Sequence, residues 1–160
     1  YSEILPIQEI GPDMEQMPFI TLAQCQAAMA AMLEAAQKKP EHPVAMAIVD
    51  SAGMLINYQE MDRLRMFTKT HAIRKAYTAA ITGMNSGAHG EWMASRGLTV
   101  RELGGDLQLT PGFGGVVVRS SMHDQDDFHT NVMGGIGVGG YLAGQEDEDL
   151  AMIGLAAMNV

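Results

Sequence analysis

His71 and Lys75 stand four residues apart, and with Thr78 and Thr82 they make a stripe at helical spacing. An imidazole and a primary amine one turn apart are the first candidates for chemistry in this chain, although a solvated helix face has the same pattern. Ala72, Ala76 and Ala79 border the stripe, and such small neighbours admit a sheet, a helix or a ligand. Asp50 opens the turn-like Asp50-Ser51-Ala52-Gly53, where an aspartate most often bonds its own backbone. Convergence of Asp50 with Lys75 would instead create an acid/base pair. Arg119 ends a valine-rich run, either as a solvent-facing strand end or as a fork for a ligand carboxylate. Tyr58 is either a core-edge residue or a pocket hydroxyl.

Two further groups invite stronger readings than they support. His123-Asp124-Gln125-Asp126-Asp127-Phe128-His129 has donors for a divalent metal but no strong ligand spacing, so a solvated loop is expected and no specific metal site is assigned. The run Val132-Met133-Gly134-Gly135-Ile136-Gly137-Val138-Gly139-Gly140 lacks the Gly-x-Gly-x-x-Gly spacing and the βαβ setting of a dinucleotide loop. Its glycines, Gly135, Gly137 and Gly139 among them, imply that something approaches the backbone closely, and a cleft wall is the expectation. Fourteen methionines at helix and strand spacing indicate adaptable core filling rather than copper binding.

The elements that must position these residues follow from periodicity and turn chemistry. Pro6, Pro12 and Pro18 with four acids predict an extended arm over residues 1–18, followed by one domain over 19–160. Thr21-Leu22-Ala23-Gln24 fits a capping box, with Ile20 and Cys25 as the hydrophobic staple. The helix it opens would bury Leu22, Cys25, Met29, Met32, Leu33 and Ala36. Val44–Val49 and Met54–Gln59 read as a hairpin, with larger side chains on one face of the first strand and mostly alanine on the other. A helix from Met66 to about Gly83 is expected to carry Met66, Ile73, Tyr77, Ala80 and Met84 on one face and the His71 stripe on the opposite one. A short helix near Glu91-Trp92-Met93, strands at Val116–Arg119 and along the glycine run, and a last helix over Leu150–Met158 complete the order. Without the long crossovers that parallel strands require, this is an α+β layout with a mainly antiparallel sheet.

Composition narrows the partners. The chain has 160 residues, a formal net charge of −9 and no apolar run long enough to cross a bilayer. Its acidity excludes nucleic acid and disfavours a membrane surface as partners, although eight of the ten basic residues lie between Arg63 and Arg119 and leave room for a local anion site. A cytoplasmic protein is expected, while the start at Tyr1 leaves secretion open.

Four blocks, VAMAIVDSAG (44–53), AIRKAYTAA (72–80), Gly112-Phe113-Gly114-Gly115 and Gly135-Ile136-Gly137-Val138-Gly139-Gly140, occur in the order of the GlcG/HbpS-like family, which the chain resembles over about residues 20–158. That family includes glycolate-operon proteins, extracellular haem-binding sensors and the C-terminal domain of PduO-type proteins. The resemblance implies an α/β sandwich, a homo-oligomer, and a small-molecule ligand: haem as candidate cofactor, or a compact aromatic or organic acid. It also implies that Lys75 faces the cleft, where it would hold a carboxylate or activate a carbonyl while His71 transfers a proton or ligates iron. Arg119 would then meet a carboxylate or haem propionate. An alternative is a cofactor-independent lyase or isomerase acting on an oxygenated organic acid or aromatic compound by acid/base catalysis with Lys75, His71 and Asp50. The long segment 120–131 and the proline-bearing arm depart from the family pattern.

Overall fold

A computed structural model describes residues 18–102, 105–121 and 131–160. Helix α1 (Leu22–Ala36) starts as expected: the Thr21 hydroxyl accepts from the Gln24 amide and the Gln24 side chain reaches back to Thr21. Ile20 and Cys25 are both buried beside it. Leu22 is not, and keeps 69% of its surface, because the buried stripe begins only at Cys25. Strand β1 (Ala45–Asp50) pairs with β2 (Leu55–Glu60) through a hairpin closed by Asp50, whose carboxylate accepts from the Ala52 and Met54 amides.

Helix α2 (Met66–Thr82) ends on Gly83 in the left-handed conformation that glycine tolerates best. Helix α3 (Ser86–Ser95), strand β3 (Gly115–Arg119), strand β4 (Val132–Gly139) and helix α4 (Gly144–Met158) complete the chain. The sheet order is β2-β1-β4-β3 and every pairing is antiparallel, so the fold class is α+β. The last helix begins six residues earlier than its apolar period suggested, taking the acids into its first turns. The arm over residues 1–17 and the histidine-bearing loop 123–129 lie outside the described residues.

The two faces of the sheet differ. Met46, Ile48, Val116, Val118, Ile136 and Val138 project to one side, where they pack with Met29, Met32 and Leu150 of α1 and α4. The opposite side carries Ala45, Ala47 and Val49 of β1 and the glycines of β4, and α2 lies there through Ala72, Ala76 and Ala80. A Cβ at Gly135 would overlap the Ala76 carbonyl oxygen, and one at Gly137 the Ala72 carbonyl oxygen. The helix backbone therefore rests directly on the strand, a separation only glycine permits.

This contact buries much of the stripe expected on the outer side of α2, together with Ala80 of the other face. Its buried residues are Thr68, Ala72, Lys75, Ala76, Thr78, Ala79 and Ala80, while Met66 stays 83% exposed. The stripe of small and polar residues goes inward because the sheet face opposite has almost no side chains to meet larger ones.

Candidate functional site

Pressing α2 onto β4 carries Lys75 under the loop before β3 and into the start of α4. Its ammonium donates to the Val138 carbonyl oxygen at 3.0 Å and to Asp147 Oδ2 at 2.7 Å. Both side chains are almost wholly buried, at 8% and 3% exposure. Asp147 Oδ1 accepts from the Tyr141 amide at 3.1 Å. Burial raises the Asp147 carboxyl above its usual range, and the Lys75 charge with the Tyr141 N–H pulls against that rise. Gly114, in a positive-φ conformation, lets the chain pass beside the pair; a Cβ there would collide with Asp147 Cβ and the Val138 oxygen.

Above the pair opens a cavity of about 610 Å³. The N-terminal half of α2 supplies Phe67, Thr68 and His71, the loop before β3 supplies Thr110 and Phe113, and His42 and Tyr141 close the rest. Phe113 fits because Gly87 of α3 and Gly144 of α4 flank it: a Cβ at Gly87 would overlap its ring, and one at Gly144 would crowd its Cβ at 3.1 Å. His71 meets Phe67 edge to face at 5.4 Å between ring centres. Burial first, then the charges of Lys75 and Arg74, lower its pKa, with Asp147 opposing weakly. At neutral pH His71 is a neutral imidazole, able to accept a proton or ligate a metal.

The structure brings Lys75, His71 and Gly139 together at this cavity and leaves the other sequence candidates elsewhere. Asp50 pairs with Gly134 at the far end of β1, whereas the cavity end is marked by the Ala45–Gly139 pair, about 17 Å away along the strand. Tyr58 donates to Glu60 Oε2 at 2.5 Å on the outer strand, and Glu60 in turn binds Lys69. Arg119 donates to the Gly83 carbonyl oxygen at 2.5 Å and to Asn131, tying the end of α2 to β3 and the start of β4. Gly135 and Gly137 lie under α2 rather than at the cavity.

Asp147 is the residue that sequence reasoning missed. It belongs to an acidic run that suits a helix N-terminus, and its lysine partner is 72 residues away. Thr110 and His42 also carry no local signal, whereas Phe113 stands in the Gly112-Phe113-Gly114-Gly115 block. Among the described residues no cluster of three His, Cys, Asp or Glu side chains is placed to hold a metal ion, and no helix is long and apolar enough to cross a membrane.

One helix on a side-chain-poor sheet face, two helices on the other, and a cavity at the strand ends define an α+β sandwich. The chain belongs to the family described as haem degrading protein HbpS-like, whose model matches residues 20–156. It is similar to a double mutant of Streptomyces reticuli HbpS (25% identity, 97% of each chain, TM-score 0.77). It is also similar in fold to the Klebsiella pneumoniae protein ORFY (21% identity, 99% of each chain, TM-score 0.74) and to PduOC in a structure of its haem complex (22% identity, 89% of this chain and 97% of that one, TM-score 0.74). None of the curated proteins matches the chain.

Proposed function

We propose that this protein binds haem in the cavity beside His71 and Lys75. The observation that carries the reading is the His71 imidazole in the wall of an aromatic-lined cavity, where burial lowers its pKa, in a chain of the HbpS-like family. The fold it shares with PduOC, whose structure is that of a haem complex, adds support. The residues fit the group: about 610 Å³ falls within the range of ligand pockets, and Phe67, Phe113 and Leu142 offer apolar contact. His71 would ligate iron, and Arg65 at the rim would meet a propionate. Bound haem would supply redox and ligand-exchange chemistry at its iron. Titration of the protein with haem is expected to give a saturable Soret band that shifts or disappears in His71→Ala. Saturation unchanged by His71→Ala, and also by His42→Ala, would remove histidine ligation.

The buried Lys75–Asp147 pair beside a neutral imidazole favours a second reading, a cofactor-independent lyase or isomerase acting on an oxygenated organic acid or aromatic compound. Asp147 takes the place of Asp50 as the acid partner in that version. We also infer that copies of the chain associate, since the edge strand β2 presents Leu55 and Ile56 at 49% and 40% exposure with Met54 beside them.

A further inference from the structure

The charge balance at the cavity floor points to a ligand beyond haem. An ammonium has three N–H donors. Two of those on Lys75 are taken, by Val138 O and Asp147 Oδ2, and Lys75 lines the cavity. Each Asp147 oxygen already accepts one hydrogen bond inside the protein, Oδ2 from Lys75 and Oδ1 from the Tyr141 amide. The floor thus offers one strong donor with no net charge behind it. A carboxylate placed there would be desolvated without a compensating cation, while an uncharged oxygen would only gain a hydrogen bond.

Arg65 is different. It lines the same cavity at the start of α2, is exposed, and makes no ion pair among the described residues. Ten residues of helix, ~15 Å of rise, separate the backbones of Arg65 and Lys75. Helical side chains lean toward the N-terminus, so the Lys75 side chain shortens that span. Phe67 and Phe113 line the same cavity.

Resting on the second reading above, we propose that the cavity takes an aromatic oxo acid, its uncharged carbonyl oxygen on Lys75 at the floor and its carboxylate on Arg65 at the rim. The pair Lys75–Asp147 acts as a selector for an uncharged oxygen, and Asp147 is the residue that sets this specificity.

Calorimetry on haem-free protein tests the assignment with three para-substituted benzoates of similar shape. 4-Acetylbenzoate is expected to bind at least about tenfold more tightly than 4-isopropylbenzoate, which lacks the acceptor, and than terephthalate, which puts a second carboxylate at the floor. Asp147→Asn leaves the ammonium uncompensated and should raise terephthalate affinity relative to 4-acetylbenzoate. The exposed Arg65→Gln should weaken 4-acetylbenzoate and 4-isopropylbenzoate by one common factor and keep their ratio. Equal affinities for all three probes in the unaltered protein, a preference for terephthalate, or no binding of 4-acetylbenzoate at millimolar concentration would overturn the proposal. None of these outcomes bears on the Soret titration, so the haem reading stands or falls separately.

Discussion

At the scale of single residues, Lys75 and Asp147 form the most buried ion pair among the described residues. Both are almost wholly buried, and removal of one leaves the other charged with little solvent around it. Lys75→Met is expected to destabilise the fold by about 3–5 kcal/mol, whereas the double change Lys75→Met, Asp147→Leu should recover most of that loss because no charge remains. Urea denaturation of the three proteins measures both. His71 yields a pH prediction of definite sign. Its folded pKa lies below the ordinary 6.5, so between those two values the unfolded chain binds more protons. The contribution of His71 to stability therefore rises with pH through that window and is complete above 6.5. Haem ligation by this residue should likewise persist below pH 6.5, to be lost only as pH falls through the depressed value. A Soret titration against pH that breaks at or above 6.5 would contradict it.

At the scale of elements, the contact between α2 and β4 decides where the site forms. Gly137→Ala would drive a methyl group into the Ala72 carbonyl and push the helix off the sheet, whereas at Gly139 the nearest atom, Thr68 O, would lie 3.1 Å from the new Cβ. Gly137→Ala is expected to cost about 3 kcal/mol or more and Gly139→Ala clearly less, as thermal unfolding would show. The displaced helix in Gly137→Ala carries Lys75 away from Asp147 without altering either residue. The glycine run is thus foremost a seat for a helix. Local patterning located its strand correctly, and the capping box at Thr21 and the turn at Asp50 were equally legible, because each rests on hydrogen bonds within four residues. The inward face of α2 was not. Helical periodicity assigns larger apolar residues to the core, and here the opposing strand has no side chains to receive them.

At the scale of the whole molecule, the helices cover both faces of the sheet but β2 leaves an edge. Leu55 and Ile56 are exposed at its start, while Tyr58 packs on the alanine-rich core beneath α2. If copies associate through this edge, light scattering after size exclusion should give a mass above the 17.2 kDa of one chain, and a lysine at Leu55 or Ile56 should lower it. A single-chain mass across the accessible concentration range would remove the association. The cavity is formed within one chain by α2, α4, the end of β4 and four loops, so haem and benzoate binding are expected to survive such a change.

The amino-acid order alone determined the elements, the antiparallel α+β class, the capping of the first helix, the hairpin and the candidacy of Lys75 and His71, since all of these follow from short-range periodicity, turn chemistry or a family resemblance in contiguous blocks. Tertiary structure alone decided which carboxylate Lys75 meets. The sequence offered Asp50 as the partner, and only the register of β1 against β4, together with the seating of α2 on glycine, places it about 17 Å along the strand from the cavity end and Asp147 at 2.7 Å.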